Sequence, residues 1–239
     1  MITSSDNERL KRVRKLRDRK WRDREGLFAT EGEDLLSAGI DAGRSPVDVL
    51  VAPESGISGI EVEPELLDAV STLGSGTRVI AVWELFAEPA AGPVVYLEGV
   101  GDPGNVGTIV RTAAALTGAR LVLGPGCADA YSPKAVRASM GALFAAPPSR
   151  GGIADTPSPR VGLVAHGGGD LDGVLIGLDA PPTLCLGAER EGLSAETVAA
   201  CDATATIPIR DAAESLNVGA AAAIALQRIS SLAAGGGSS

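Results

Sequence analysis

The chain has 239 residues, 45% of them hydrophobic and only 3% aromatic, with a net charge of −9. That length suits one large domain or two modest ones, and the composition calls for a core of Ala, Val, Leu and Ile. No apolar run reaches the roughly 18 residues of a membrane span, the charged N-terminus is unlike a secretory signal, and three cysteines without a C-x-x-C pair read as reduced thiols of a cytoplasmic protein.

The charge is uneven along the chain. Residues 9–24, RLKRVRKLRDRKWRDR, hold ten of the 21 Lys and Arg; residues 1–25 carry net +5 and the remainder −14. A basic segment on an acidic body suggests a local contact with a polyanion, set against the alternative of a solvated helix face. Arg9, Arg12, Lys15 and Arg19 are its candidate contacts, and Trp21 either stacks on a base or packs half-buried. Residues 5–24 are predicted as one helix, with Leu10, Val13 and Leu16 on one face and Ser5 with Glu8 as a capping box. GLFATEGEDLLSAGIDAG suggests a short strand and a helix ending at Gly43. Residues 47–52 read as a buried strand, 63–73 as a helix with Pro64 near its start, and 78–83 as another strand. Residues 1–90 therefore form a small α/β domain, and EPAAGP (88–93) is the linker.

From residue 94 strands and helices alternate. Strands are predicted at 94–100, 120–124, 161–166, 183–187 and 205–209, and helices at 105–117, 133–142, 194–200 and 215–232. The strands are apolar on both faces, as in a parallel sheet covered by helices, so ligands belong at their carboxyl ends. Residues 91–239 make this second domain. Its first turn, EGVGDPGN, carries the Gly99-x-Gly101-x-x-Gly104 spacing of a dinucleotide site. Pro103, however, removes an N–H that would cradle a pyrophosphate, and no acid closes the next strand, RLVLGPG, to bind a ribose.

The turn offers polar groups instead. Asn105 opens a helix whose inner face is Val106, Ile109, Val110 and Ala113, and Arg111 lies on its polar side, a pairing suited to a phosphate or sugar–phosphate ligand. Further on, LGAEREGL (186–193) puts Glu189 in a glycine-rich turn. IPIRDAAESLNVGAAAAIAL (207–226) places Ser215 and Asn217 at a helix start, where side chains and free N–H groups bind polar atoms; its Ala/Gly run lets another backbone approach closely. Arg137, in SPKAVRAS, begins a helix after a loop and is either a phosphate ligand or a surface charge. His166 is the chain's one histidine, read as strand-end packing rather than as a proton carrier. No His/Cys/Asp cluster has metal-ligand spacing.

These stretches together resemble the SpoU-type (TrmH-like) ribose methyltransferases of the SPOUT superfamily. The family's D-P-x-N-x-G-x-x-x-R matches Asp102, Pro103, Asn105, Gly107 and Arg111; its L-G-x-E-x-x-G-L matches Leu186, Gly187, Glu189, Gly192 and Leu193; its E-S-L-N-V matches Glu214 through Val218. The N-terminal stretch resembles the family's ribosomal-protein-like substrate-binding domain. The resemblance implies a C-terminal deep trefoil knot, a homodimer, and S-adenosylmethionine-dependent methylation of an RNA ribose 2′-hydroxyl, in large-subunit rRNA rather than tRNA, without a metal. It implies that Arg111 activates the hydroxyl electrostatically, that Asn105 orients Arg111 or the ribose, and that Glu189, Ser215 and Asn217 complete the reaction centre. Val164, Ala165, His166, Leu186, Gly187, Gly192, Ile207, Pro208 and Leu216 are the implied donor contacts. The alternatives are a catalytically silent RNA-binding relative and an NAD-dependent oxidoreductase.

Overall fold

The computed structural model describes residues 1–74, 76–86, 92–210 and 215–235. The expected linker falls largely on residues 87–91, outside the described set, as does Glu214 of the third motif. The chain divides into two compact units, Met1–Phe86 with Asp129–Ala145, and Ala87–Ala128 with Ala146–Ser239.

The first unit opens with α1 (Glu8–Lys15) and α2 (Arg19–Glu25), then β1 (Leu27–Glu31), α3 (Glu33–Asp41), β2 (Asp48–Val51), β3 (Ile60–Glu61), α4 (Pro64–Val70) and β4 (Val79–Glu84). The sheet order is β1-β4-β2-β3, with β4 antiparallel to both neighbours and β3 parallel to β2. Leu10, Val13 and Leu16 are buried on one face, as their spacing predicts, against Leu50, Leu67, Val70 and Ile80. The predicted single helix over 5–24 is broken at Leu16–Asp18, and Asn7, not Ser5, caps its start by accepting from the Arg9 N–H. The cause of the break is Arg22, only 2% exposed. Its Nη1 donates to the Leu16 and Arg17 carbonyls, both at 2.7 Å, which satisfies the groups the interrupted helix leaves open.

The second unit begins with β5 (Val94–Leu97), α5 (Pro103–Thr117) and β6 (Arg120–Leu123). The chain then returns to the first unit as α6 (Pro133–Ser139) and α7 (Ala142–Ala145), where a single domain over 91–239 was expected. Two features tie this excursion down. Arg22 Nε and Nη2 both donate to Asp129 Oδ2, at 3.0 and 2.7 Å. Phe28, Trp83, Phe86, Tyr131 and Phe144 form one cluster with ring centroids 4.8–6.0 Å apart. The low aromatic content thus hides a local concentration, for five of the seven aromatics stand here. Gly39 of α3 is required beside it: a Cβ there would lie 2.4 Å from the Trp83 ring, whose Nε1 is fixed on Thr30 Oγ1. Gly39→Ala is expected to destabilise the unit by about 1–3 kcal/mol through overpacking, read as a lower urea midpoint. The predicted helix over 133–142 stops at Ser139 because Met140 takes a left-handed φ of 49°.

The second unit is completed by β7 (Ser149–Arg150), β8 (Arg160–Leu163), β9 (Gly169–Asp170), α8 (Leu171–Ile176), β10 (Thr183–Leu186), α9 (Ala195–Ala199), β11 (Ala203–Thr206) and α10 (Val218–Gly235). Its seven strands run β7-β6-β5-β10-β8-β11-β9 and every pairing is parallel, the expected α/β class. Strands β5 and β10 are buried along their whole length. α5 buries Val106, Ile109, Val110 and Ala113, the predicted face. All five predicted strands of this unit overrun their ladders at the carboxyl end: the runs to residues 124 and 187 stop one residue sooner, and those to 100, 166 and 209 stop at 97, 163 and 206. The two-residue β3, β7 and β9 carry too little pattern to be read in advance, and α8 follows a glycine triplet. The Ala/Gly run of α10 is used within the chain, lying against α5: a Cβ on Gly219 would sit 3.6 Å from Thr108 Cγ2. All three cysteines are free. Burial pushes the Cys127 thiol up; the hydrogen bond between Cys185 and Cys201 raises the first and lowers the second.

Candidate active site

The three motif turns all belong to the second unit. The first is built by capping. Asp102 Oδ1 accepts from the Gly104 and Asn105 N–H groups at 2.6 and 3.1 Å, and Pro103 occupies the first helical position, where no N–H is needed. The Asn105 side chain is thereby fixed in the first turn of α5. In the second turn Gly187 admits no other residue, since a Cβ would lie 2.0 Å from the Gly192 carbonyl carbon. The chain closes on itself there, with Gly192 N donating to Ala188 O at 2.8 Å, and the closed loop presents Glu189. In the third, Asn217 caps α10, its Oδ1 accepting from Gly219 N and Ala220 N at 2.9 and 3.2 Å.

These capped turns meet in one chain of side chains. Asn217 Nδ2 donates to Asn105 Oδ1 at 3.2 Å, and Asn105 Nδ2 donates to Glu189 Oε1 at 2.5 Å. The direction is dictated by chemistry. Asn217 spends its oxygen on α10, so only its NH₂ can face Asn105; Asn105 must then offer its oxygen to Asn217 and its NH₂ to the carboxylate. Glu189 is the acceptor that ends the relay.

Beside it lies a cavity of about 690 Å³ at the carboxyl ends of β8, β10 and β11, within the usual range for a small-molecule ligand. Eight of the nine implied donor contacts line it: Val164, Ala165, His166, Leu186, Gly187, Gly192, Ile207 and Leu216. Pro208 does not; its neighbours Ile207 and Ile209 face the cavity instead, as alternating residues of an extended segment do. Ser215 and Glu189 also line it. Arg190 and Glu191 join them, unpredicted, because the motif leaves those two positions open. Arg111 stands exposed on α5, less than two turns past Asn105, and makes no hydrogen bond or ion pair among the described residues.

The basic candidates lie in the first unit, largely engaged there. Arg9 Nε and Arg12 Nη1 clamp the buried Asp48 at 2.8 and 3.0 Å. Arg19 pairs with Asp23 one turn on. Trp21 is half-buried beneath Lys15 and Arg24, 4.9 and 5.1 Å from its ring. Arg137 lies in the last turn of α6 rather than at its start, and its Nη1 donates to Thr72 Oγ1 at 2.7 Å. Lys15, Arg19, Lys20 and Arg24 remain exposed on α1 and α2.

Fold and site together make a parallel α/β sheet with a ligand-sized cavity at its strand ends and a relay of polar side chains beside it. A family model described as SpoU rRNA Methylase family matches residues 92–227, and one described as MRM3-like substrate binding domain matches residues 7–88. The chain belongs to the SpoU rRNA methylase family. It is 31% identical to the 23S rRNA (guanosine(2553)-2′-O)-methyltransferase RlmP of Bacillus subtilis, over 93% of this chain and 96% of that protein. It is 39% identical to the 23S rRNA (uridine(2479)-2′-O)-methyltransferase of Streptomyces viridochromogenes, over 54% of this chain and 50% of that one. The AdoMet-bound rRNA methyltransferase from Sinorhizobium meliloti superposes with a TM-score of 0.84 at 28% identity, over 95% and 96% of the two chains.

Proposed function

We propose that this chain transfers a methyl group from S-adenosylmethionine to a ribose 2′-hydroxyl of large-subunit ribosomal RNA. The observation that carries it is the Asn217–Asn105–Glu189 relay set beside the strand-end cavity. The cavity fits the donor chemically: Val164, Ala165, Ile207 and Leu216 offer apolar walls for a purine, and the carboxylates of Glu189 and Glu191 favour a sulfonium charge. When bound, the donor supplies an electrophilic methyl carbon. The relay locks the Asn105 amide, so that polar groups facing the acceptor are pre-set rather than reorganised. Arg111, with no competing partner among the described residues, takes the ribose or its phosphate and stabilises the negative charge that builds on the 2′-oxygen in the transition state. Ser215 closes the cavity beside Leu216.

The first unit serves as the RNA-binding part through the exposed cations of α1 and α2. Arg9 and Arg12 belong to the unit's own stability, and so does α1, whose Leu10, Val13 and Leu16 are core. Deleting residues 1–24 would therefore remove core as well as charge. Lys15→Ala with Lys20→Ala is the cleaner test. It is expected to weaken RNA binding and lower the slope of log K against log salt by about 2, without changing donor affinity; an unchanged slope sets that surface aside.

The working unit is a cytoplasmic homodimer with a knotted second unit. The interleaved order β5-β10-β8-β11 and the return of α10 to α5 support the knot. Exposed Ala220 and Ile224 of α10 support self-association, which light scattering would measure. Among the described residues no helix is long and apolar enough to cross a membrane. The decisive experiment incubates the protein and labelled S-adenosylmethionine with unmodified 23S rRNA and maps ribose methylation by mass spectrometry. One 2′-O-methyl nucleotide is expected. Label on a base, or none with any RNA, overturns the assignment.

A further inference from the structure

Glu98 belongs to none of the three motifs, yet its carboxylate accepts three hydrogen bonds. It lies one residue past β5, and its own N–H donates to Leu186 O at 2.9 Å, at the last residue of β10. Its side chain reaches the far end of the Glu189 loop. Oε2 accepts from the Ser194 N–H at 2.8 Å; Oε1 accepts from Ser194 Oγ at 3.0 Å and from Thr197 Oγ1 at 2.9 Å. Ser194 is also the cap of α9, and Thr197 is buried.

The placement is more than local. The stretch from Gly187 to Leu193 lines the cavity and carries Glu189. It leaves β10 at Leu186, held by the Glu98 backbone, and ends at Ser194, held by the Glu98 side chain. One residue thus pins both feet of the loop. Four residues further on, Asp102 caps α5 and sets Asn105, which grips the same loop at Glu189. The first and second turns are joined twice, once at the reaction centre and once behind it.

We infer that Glu98 is a positioning residue for the donor site: it fixes the Gly187–Leu193 loop in its donor-accepting shape without touching the donor. This rests on the donor-site reading above. Three donors converge on one carboxylate, and each bond is strengthened by its charge. Glu98→Gln keeps shape and volume but removes that charge, and its amide nitrogen meets the two hydroxyls only if both turn round to accept, so the foot at Ser194 is weakened.

The test uses the full-length protein in two measurements. Calorimetry gives stoichiometry and Kd for S-adenosylmethionine in the wild type and Glu98→Gln; hydrogen exchange follows amides 188–193 without ligand. The variant is expected to bind at full stoichiometry with Kd raised about ten- to hundredfold, the loss of one charge-assisted hydrogen bond, with faster exchange confined to the loop and RNA affinity unchanged. An unchanged donor Kd overturns the inference, and so does reduced stoichiometry at unchanged Kd, which marks a merely structural role. Should Glu98→Gln fail to fold, the isosteric Thr197→Val removes one of the three contacts while Ser194 still caps α9, and is expected to shift Kd and loop exchange the same way. A wild type that binds no donor overturns the donor-site reading itself, and unprotected loop exchange in both proteins overturns the hold by Glu98 independently.

Discussion

Asn105→Asp is expected to lower kcat/KM by about 10²–10³-fold, the cost of one preorganised donor in an active site, while leaving the fold intact. The substitution is isosteric, and the Asn217 NH₂ can still donate to it. The damage falls on the other side. Asn105 Nδ2 donates to Glu189 at 2.5 Å in the native protein, and aspartate puts a second carboxylate there. Like charges at that separation repel, so the pair keeps one proton to a higher pH than a lone carboxyl does. The sign follows: below that pH the shared proton restores a donor between the two groups, and activity relative to wild type improves; as pH rises the proton leaves and the deficit deepens. A pH profile of the variant against wild type measures this. Wild-type activity at neutral pH, or a deficit independent of pH, would remove the relay from the chemistry.

The second large effect concerns stability. Arg22→Ala is expected to destabilise the first unit by about 3–5 kcal/mol, the usual loss when one partner of a buried ion pair is removed, out of a typical total of about 5–15 kcal/mol. Four hydrogen bonds vanish: two to Asp129 and one each to the Leu16 and Arg17 carbonyls. The carbonyls at the α1–α2 corner lose their donor and Asp129 keeps an uncompensated charge. Urea unfolding, followed through the tryptophans of this unit, reads the change. The double variant Arg22→Met with Asp129→Leu is expected to recover most of the Asp129 share but not the corner carbonyls. A loss under about 1 kcal/mol for Arg22→Ala, the range of an exposed pair, would reduce the bridge to a surface contact.

Capping rules account for where the two helices begin, although the predicted starts were two residues late and three residues early: Asp102 and Pro103 open α5 at 103 rather than 105, and Asn217 opens α10 at 218 rather than 215, because a helix must satisfy its first N–H groups locally. That logic operates within four residues, so it is written in the sequence. The relay is not: its members are 84 and 112 residues apart, and only the resemblance to a family grouped them. The predicted strands ran too far for an instructive reason. Val164, Ala165 and Ile207 are apolar because they face a cavity, and apolarity at a strand end cannot tell a ladder from a pocket wall. The basic helix misled in the opposite sense. Ten cations in sixteen residues suggest a surface charge, yet Arg22 is buried and Arg9 and Arg12 serve Asp48, pairings made across dozens of residues.

The return of Asp129–Ala145 to the first unit bears on synthesis. A chain emerging from the ribosome usually folds its leading domain first. Here Phe28, Trp83 and Phe86 await Tyr131 and Phe144, and Arg22 awaits Asp129. The leading segment therefore stays incomplete until β5, α5 and β6 have been made. Nascent chains arrested with residue 86 just outside the exit tunnel should be cut readily by protease, and those arrested past residue 145 should resist.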